Sequence, residues 1–86
     1  MSYQIQKGLI IQKIDKETVI FDAEESVLYT LNETAGEMFK MLKKGLKEGE
    51  IVEKMLKKYQ VKKERVEKDL QELIKNLEEK KIVKKL

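Results

Sequence analysis

The sequence predicts an α+β fold in which a three-stranded antiparallel sheet precedes three helices. Residues 1 to 31 contain short apolar runs separated by turn-forming residues, a pattern typical of strands. From residue 35 onwards, apolar residues recur every three or four positions, which is typical of amphipathic helices. A chain of 86 residues has room for one hydrophobic core. We therefore expect residues 1–86 to form a single domain.

The first two predicted strands form a hairpin. The first contains Leu9, Ile10, Ile11 and Ile14, and the second spans residues 18–22. The segment 14–18 between them has the composition of a hairpin turn. Because the connections between the strands are short, we expect antiparallel pairing.

The third predicted strand, Ser26–Leu31, is the element most relevant to function. Its alternation places Val27, Tyr29 and Leu31 on one face and Leu28 and Thr30 on the other. Edge strands leave N–H and C=O groups unpaired along one side. This segment contains no lysine or proline, so it is suited to pair with a strand from a partner. The alternative, that the strand is central or covered by the last helix, stays open at this stage.

The first predicted helix has two overlapping start signals. Asn32 can act as an N-cap, and Thr34 with Glu37 makes a capping-box pattern. The helix should run to about Lys44 and stop at Gly45. Its apolar stripe consists of Ala35, Met38, Phe39 and Leu42.

Two further helices complete the predicted core. Helix 2 should span residues 48–59, and helix 3 should follow a linker at residues 60–63 and end near residue 80. Their apolar stripes should share one core with the sheet. The stripe residues are Ile51, Val52, Met55, Leu56 and Tyr59 in helix 2, and Val66, Leu70, Leu73, Ile74 and Leu77 in helix 3. Ile82 and Val83 then form a terminal strand or pack against the core.

The composition argues against an enzyme. Without cysteine or histidine, the chain has no thiolate nucleophile, no imidazole base and no common zinc-ligand set. We therefore expect no catalytic residues, no metal site and no cofactor. The longest apolar runs have three residues, far short of the roughly 20 that span a membrane, and no signal-peptide pattern is present. These features predict a cytoplasmic protein without a membrane partner.

The charge is unevenly distributed along the chain. Residues 1–42 contain four Lys against seven Asp and Glu, whereas residues 43–86 contain fifteen Lys and Arg against nine Asp and Glu. A basic second half could attract nucleic acid, an anionic surface or an acidic peptide. The simpler interpretation is that these charges form the solvated faces of helices.

Six short motifs follow one another in an order that resembles a known family. They are Leu31-Asn32, Thr34-Ala35-Gly36, Gly45, Glu50-Ile51, Tyr59-Gln60-Val61 and Asp69-Leu70. In order and spacing they resemble the PqqD-like family, over about residues 8–83. Two positions depart from the family pattern, because Lys47 replaces the Thr that often caps helix 2 and Gly49 lies in the first turn of that helix. Both departures weaken the start of helix 2 and leave the functional surfaces untouched.

The resemblance implies a winged-helix-like domain that binds the leader segment of a ribosomally made precursor peptide and presents it to a modifying enzyme. In that family the leader pairs with the edge of the third strand and places apolar side chains in a groove beside helix 3. The implied main-chain partners are Val27, Leu28, Tyr29 and Thr30, and the implied groove residues are Leu28, Tyr29, Asp69, Leu70 and Leu73. The position of Leu70 and Leu73 on the apolar stripe of helix 3 favours the core over the groove for both, and Asp69 could serve the helix dipole instead of the leader.

The partner enzyme and the competing functions stay open. Relatives serve radical S-adenosylmethionine enzymes or the leader peptidases of lasso-peptide pathways, and any iron–sulfur cluster would belong to such a partner. One rival function is a winged-helix nucleic-acid-binding protein, although helix 3 has a single Arg and alternates Lys with Glu, unlike a typical recognition helix. The other rival is a purely structural role, as an oligomerising subunit or as one half of a split enzyme, and a homodimer stays open.

Overall fold

Four strands precede three helices, and a fifth strand follows them. The computed structural model describes residues 3–86. Its elements are β1 (Tyr3–Ile5), β2 (Leu9–Ile14), β3 (Glu17–Asp22), β4 (Val27–Leu31), α1 (Glu33–Lys43), α2 (Glu48–Lys58), α3 (Lys63–Glu79) and β5 (Val83–Lys85). The predicted α+β class, with a three-stranded antiparallel sheet followed by three helices, is confirmed.

The main sheet has the strand order β2-β3-β4, so β4 lies at one edge. The β2–β3 hairpin turns through Asp15 and Lys16, and Asp15 has a φ of 57°, which a short polar side chain tolerates. At the next turn, the Asp22 carboxylate accepts hydrogen bonds from the N–H groups of Glu24 and Glu25, at 3.1 and 3.3 Å. Ser26 has a φ of 54°. The strand predicted to begin at Ser26 therefore begins one residue later.

A second, two-stranded sheet joins the two ends of the described chain. β1 pairs with β5 in antiparallel register, from Tyr3 opposite Lys85 to Ile5 opposite Val83. β1 was not predicted from the sequence, because three residues are too few to establish a period of two. For the C-terminal segment, both proposed outcomes occur, since Val83 starts a strand and Ile82 is fully buried.

Asn32 is the residue that caps α1. Its side-chain oxygen accepts a hydrogen bond from the N–H of Ala35 at 2.9 Å, and the Thr34 hydroxyl donates to the same oxygen at 3.2 Å. Thr34 is therefore inside the helix, and the alternative start signal at Thr34 and Glu37 is not used. The helix ends at Lys43 with Lys44 as its C-cap, and Gly45 follows at a φ of 88°, so the predicted end near Lys44 is within one residue of the observed one. No helix in residues 3–86 is both long and apolar enough to cross a membrane.

One hydrophobic cluster unites the sheet and the helices. The three predicted helical stripes face it, and α1 packs directly on β3 at Gly36. A Cβ atom at Gly36 would lie 2.5 Å from the Thr18 hydroxyl oxygen, so glycine allows the helix to approach the strand closely. The largest fully buried side chains are Ile20, Phe39, Leu42, Ile51, Met55, Leu70, Leu77 and Ile82. This core fixes the position of β4 relative to α1 and α3.

Candidate functional site

β4 is paired on one side. It is antiparallel to β3, from Leu31 opposite Thr18 to Val27 opposite Asp22. Among residues 3–86 no strand pairs with its other side. In an edge strand of this kind, every second residue directs its N–H and C=O groups away from the sheet. The structure thus excludes a central position for this strand.

A groove separates β4 from α3. No Cα atom of α3 lies within 8 Å of a Cα atom of β4, and the space between the two elements is open to solvent. The groove has a volume of about 330 Å³. It is lined by Tyr29, Thr30 and Leu31 of β4, by Asn32, Thr34, Ala35 and Met38 at the start of α1, and by Arg65, Asp69, Glu72, Leu73 and Asn76 of α3.

The lining of the groove is mostly polar and surrounds a small apolar floor. Leu31, Met38 and Leu73 are buried core residues that also line the groove. Glu72 and Asn76 are exposed along the rim. A guest chain in this groove would therefore meet apolar surface below its side chains and hydrogen-bonding groups beside them.

Tyr29 lies at the junction between the strand edge and the groove. Its side chain is half-buried on the inner face of β4. The Lys80 ammonium, just beyond the end of α3, lies 5.4 Å from the centroid of the Tyr29 ring. This distance is within the range of a cation–π interaction. The contact links the end of α3 to the strand edge.

An ion pair lies on the α3 side of the groove. The Arg65 guanidinium donates to the Asp69 carboxylate at 3.3 Å, one helical turn apart. Both side chains are substantially exposed, so the pair orients Asp69 and contributes little stability. Asp69 has its carboxylate at the groove, where it can accept a hydrogen bond from a guest chain.

A small apolar pocket of about 30 Å³ adjoins the groove at the Arg65 end. Its lining includes Thr34, Met38 and Asp69, which also line the groove, together with Tyr59. The Tyr59 hydroxyl is buried and has no hydrogen-bond partner among the described residues. Burial raises the pKa of Tyr59 above its ordinary value, with the nearby carboxylates of Glu33 and Glu37 acting in the same direction.

Four of the seven residues singled out in the sequence line the groove. These are Tyr29, Asp69, Leu73 and Thr30, of which Thr30 contributes its main chain, because the alternation of β4 directs its side chain to the opposite face of the sheet. Val27 and Leu28 belong to the free edge through their main chain, but neither side chain lines the groove. The Leu28 side chain points the opposite way and is 66% exposed.

Leu70 is not brought to the groove. Its side chain is 1% exposed and lines a separate cleft between α2 and α3. Of the two roles that the sequence left open for this residue, the structure places it in the core. The physical reason is its position on α3, because Leu70 faces α2 whereas Asp69 and Leu73 face the β4 side.

Sequence reasoning missed two sets of groove residues. One is the start of α1, where Asn32, Thr34 and Met38 line the groove. The other is the pair of polar residues Glu72 and Asn76 on α3, which continue the row begun by Arg65 and Asp69. A signal for the second set was present, since positions 65, 69, 72 and 76 have the three- and four-residue spacing of one helical face.

Comparison with known proteins identifies a family and two structures of the same fold. The family described as coenzyme PQQ synthesis protein D (PqqD) matches residues 17–83. The structure of TbiB1 in complex with the TbiA(beta) leader peptide is 23% identical in sequence, with a TM-score of 0.86, and the match covers 100% of this chain and 98% of that one. A lasso peptide synthetase B1 complexed with the leader peptide is 19% identical, with a TM-score of 0.88 and coverage of 99% and 100%. No curated protein sequence gives a significant match.

Proposed function

The chain belongs to the PqqD family, and from this membership we propose that it binds the leader segment of a ribosomally synthesised precursor peptide and presents it to a modifying enzyme. The observation that supports this proposal most strongly is the free edge of β4 beside an open groove. The two structural relatives, both of which are complexes with leader peptides, support it independently. We infer that residues 1–86 act as one binding unit.

The leader would add a fourth strand to the sheet. Its main chain would exchange hydrogen bonds with the free edge of β4, at residues among Val27, Leu28, Tyr29 and Thr30. Main-chain pairing gives affinity that tolerates sequence differences, because every residue except proline offers the same donor and acceptor. This pairing holds the guest in an extended conformation along the groove.

Selection among peptides would come from side chains that enter the groove. In an added strand, every second side chain faces the helices. An apolar side chain at such a position would contact Leu73 and the ring of Tyr29, which lie on the floor and at the edge of the groove. The leader should therefore carry apolar residues two positions apart.

Asp69 would recognise a hydrogen-bond donor of the leader. Its carboxylate is already oriented by Arg65 and retains free acceptor positions, because the pair is formed through a single nitrogen–oxygen contact. An amide or a basic side chain of the leader fits this acceptor. Arg65 would favour an acidic group at the adjacent position of the guest.

The chemistry of modification would belong to the partner enzyme. Within residues 3–86, no group of three or more carboxylates could hold a metal ion. Two classes of partner fit this role, namely a radical S-adenosylmethionine enzyme and a leader peptidase of a lasso-peptide pathway. The family and both structural relatives favour this function over a winged-helix nucleic-acid-binding protein.

Isothermal titration calorimetry of this chain with the leader peptide that a neighbouring gene encodes tests the proposal. Two sets of leader peptides, each N-methylated at alternate residues of the bound segment, provide the critical comparison. N-methylation removes the main-chain donor, so the set methylated on the side facing β4 should lose binding. The set methylated at the intervening residues should retain binding, because those N–H groups face away from the sheet.

Two results would contradict strand addition. If the unmodified leader does not bind, the proposed function is wrong. If both methylated sets bind as well as the unmodified peptide, the leader is held by side chains alone and does not pair with β4.

A further inference from the structure

The face of the main sheet that points away from the helices carries a continuous apolar row. The register places Ile10 opposite Phe21, and Phe21 opposite Leu28, so the three side chains cross the sheet side by side. They are 53%, 37% and 66% exposed, respectively. The next residues on this face are Gln12, Val19 and Thr30, followed by Ile14 opposite Glu17. We call these eight residues the outer face.

The outer face is almost uncharged. Glu17 is its only charged residue, whereas 41% of the whole chain is Asp, Glu, Lys or Arg. The solvent-exposed face of an antiparallel sheet is normally polar. A row of exposed apolar side chains that excludes charge is instead typical of a surface that another protein covers.

The position of the row suggests which protein covers it. The row ends at Leu28 on β4, which is the edge where the leader would pair. An added leader strand would place its own outward-facing side chain next to Leu28, because neighbouring strands share the same pleat. The outer face and one face of the guest would then form a single surface, available to a protein that acts on the guest.

A second copy of this chain fits the outer face less well. Three strands about 4.8 Å apart and about six residues long give a face of roughly 14 by 20 Å, or about 300 Å². A stable dimer buries about 800 Å² on each partner. The surface is the right size to form part of a transient contact, and the guest strand would enlarge it.

We propose that the outer face is the docking surface for the modifying enzyme, which contacts Ile10, Phe21 and Leu28 together with the outward side chains of the bound leader. This inference rests on the proposed function. The complementary enzyme surface is apolar and carries little charge, so its binding should depend weakly on salt. Because the leader contributes to the surface, the enzyme should bind this chain, which we call the carrier, more tightly when the leader is bound to it. By thermodynamic linkage, the enzyme should increase the affinity of the carrier for the leader by the same factor.

The double variant Ile10→Thr/Phe21→Thr tests this inference. Threonine keeps the strand propensity while removing apolar surface, and both residues lie away from the groove. Leu86→Thr is the matched control, since Leu86 is 69% exposed and lies outside the main sheet. For each protein we would titrate the leader alone, and then titrate the leader-loaded carrier with the modifying enzyme encoded in the same gene cluster.

The expected result separates the two interactions. The double variant should bind the leader with unchanged affinity and the enzyme at least roughly tenfold more weakly, as for the loss of a central apolar contact. The control should bind both as the unaltered chain does. Sedimentation of the carrier alone should show a monomer at all concentrations tested.

Three results would overturn the inference. Equal enzyme binding by the double variant and the control would contradict it while leaving leader binding intact. A dimer that disappears in the double variant would identify a second copy as the occupant of the outer face. Failure of the unaltered chain to bind the leader would remove the proposed function, and this inference with it.

Discussion

At the scale of single residues, Gly36 determines how closely α1 approaches the sheet. Alanine at this position would place its Cβ atom 2.5 Å from the Thr18 hydroxyl oxygen and 3.3 Å from the Thr18 Cβ atom. We expect Gly36→Ala to lower the free energy of unfolding by about 1 to 3 kcal/mol, because overpacking outweighs the helix propensity of alanine. Urea unfolding measures this change.

Gly49 is the matched control for Gly36. It lies in the first turn of α2, and a Cβ atom there would meet no other atom within 4 Å. Gly49→Ala should therefore raise the free energy of unfolding by up to about 1 kcal/mol. If Gly36→Ala raises the free energy of unfolding as Gly49→Ala does, α1 does not approach β3 as closely as described.

Leu70 and Leu73 form a second matched pair, which tests the groove. Both side chains are buried, but Leu73 lines the groove and Leu70 lines the α2–α3 cleft. Leu70→Val and Leu73→Val should each cost about 1 kcal/mol of stability, the usual price of one buried methylene. Only Leu73→Val should weaken leader binding in a calorimetric titration of the folded protein. Equal loss of affinity in both variants would indicate a general effect on folding.

The Glu37–Lys58 ion pair gives a prediction about pH. The Lys58 ammonium donates to the Glu37 carboxylate at 2.9 Å, and this hydrogen bond lowers the pKa of Glu37 below its ordinary value. Because the pKa of Glu37 is lower in the folded state, the pair contributes stability above the unfolded pKa. This contribution is lost as the pH falls through the folded pKa.

Replacing Lys58 should therefore move the pKa of Glu37 upwards. We expect an NMR titration of the Glu37 carboxyl group to show a higher pKa in Lys58→Met, together with a smaller loss of stability on acidification. Lys57→Met is the control, because Lys57 makes no ion pair with Glu37 in the described part of the chain. A similar pKa in both variants would show that the ion pair is absent in solution.

At the scale of the elements, α2 begins with an incomplete cap. The Lys47 N–H group donates to the Glu50 carboxylate at 3.0 Å, but a lysine side chain cannot accept the reciprocal bond from the helix. Lys47 already has the extended conformation of an N-cap. Lys47→Thr should complete the capping box and raise the free energy of unfolding by about 1 kcal/mol relative to Lys47→Ala. Thermal unfolding that does not distinguish the two variants would contradict this account.

The elements in which apolar residues recur at a regular spacing over several turns were predictable from the sequence. The apolar stripe of α3 repeats over several turns, so Val66, Ile74 and Leu77 were assigned to the core from spacing alone. β1 and β5 were harder because each has three residues, and their pairing joins opposite ends of the chain. Such a contact depends on how the intervening core brings the ends together.

The groove was predictable in part, for a related reason. Alternation in β4 fixed which way Tyr29 and Leu28 point, because the period of a strand is two. Whether Leu70 or Leu73 faced the groove depended on the rotation of α3 about its axis. That rotation is set by packing against α2 and β5, which the sequence pattern does not reveal.

At the scale of the whole molecule, the structure separates two surfaces of one sheet. The inner side of β4 borders the groove, where we propose that the leader is selected. The outer face carries Ile10, Phe21 and Leu28, where we propose that the enzyme docks. Both surfaces meet at the free edge of β4. The carrier would therefore contact the side chains on one face of a guest strand at this edge, and the enzyme would contact those on the other face.

The measurement that tests this account most directly is amide hydrogen exchange in β4, with and without the leader. In the free chain, alternate N–H groups of residues 27–31 should exchange rapidly, because they face no partner strand. Saturating leader should slow the exchange of those N–H groups and leave the intervening ones, already bonded to β3, nearly unchanged. Uniform protection in the free chain, or a leader that protects the α2–α3 cleft instead of β4, would contradict the account.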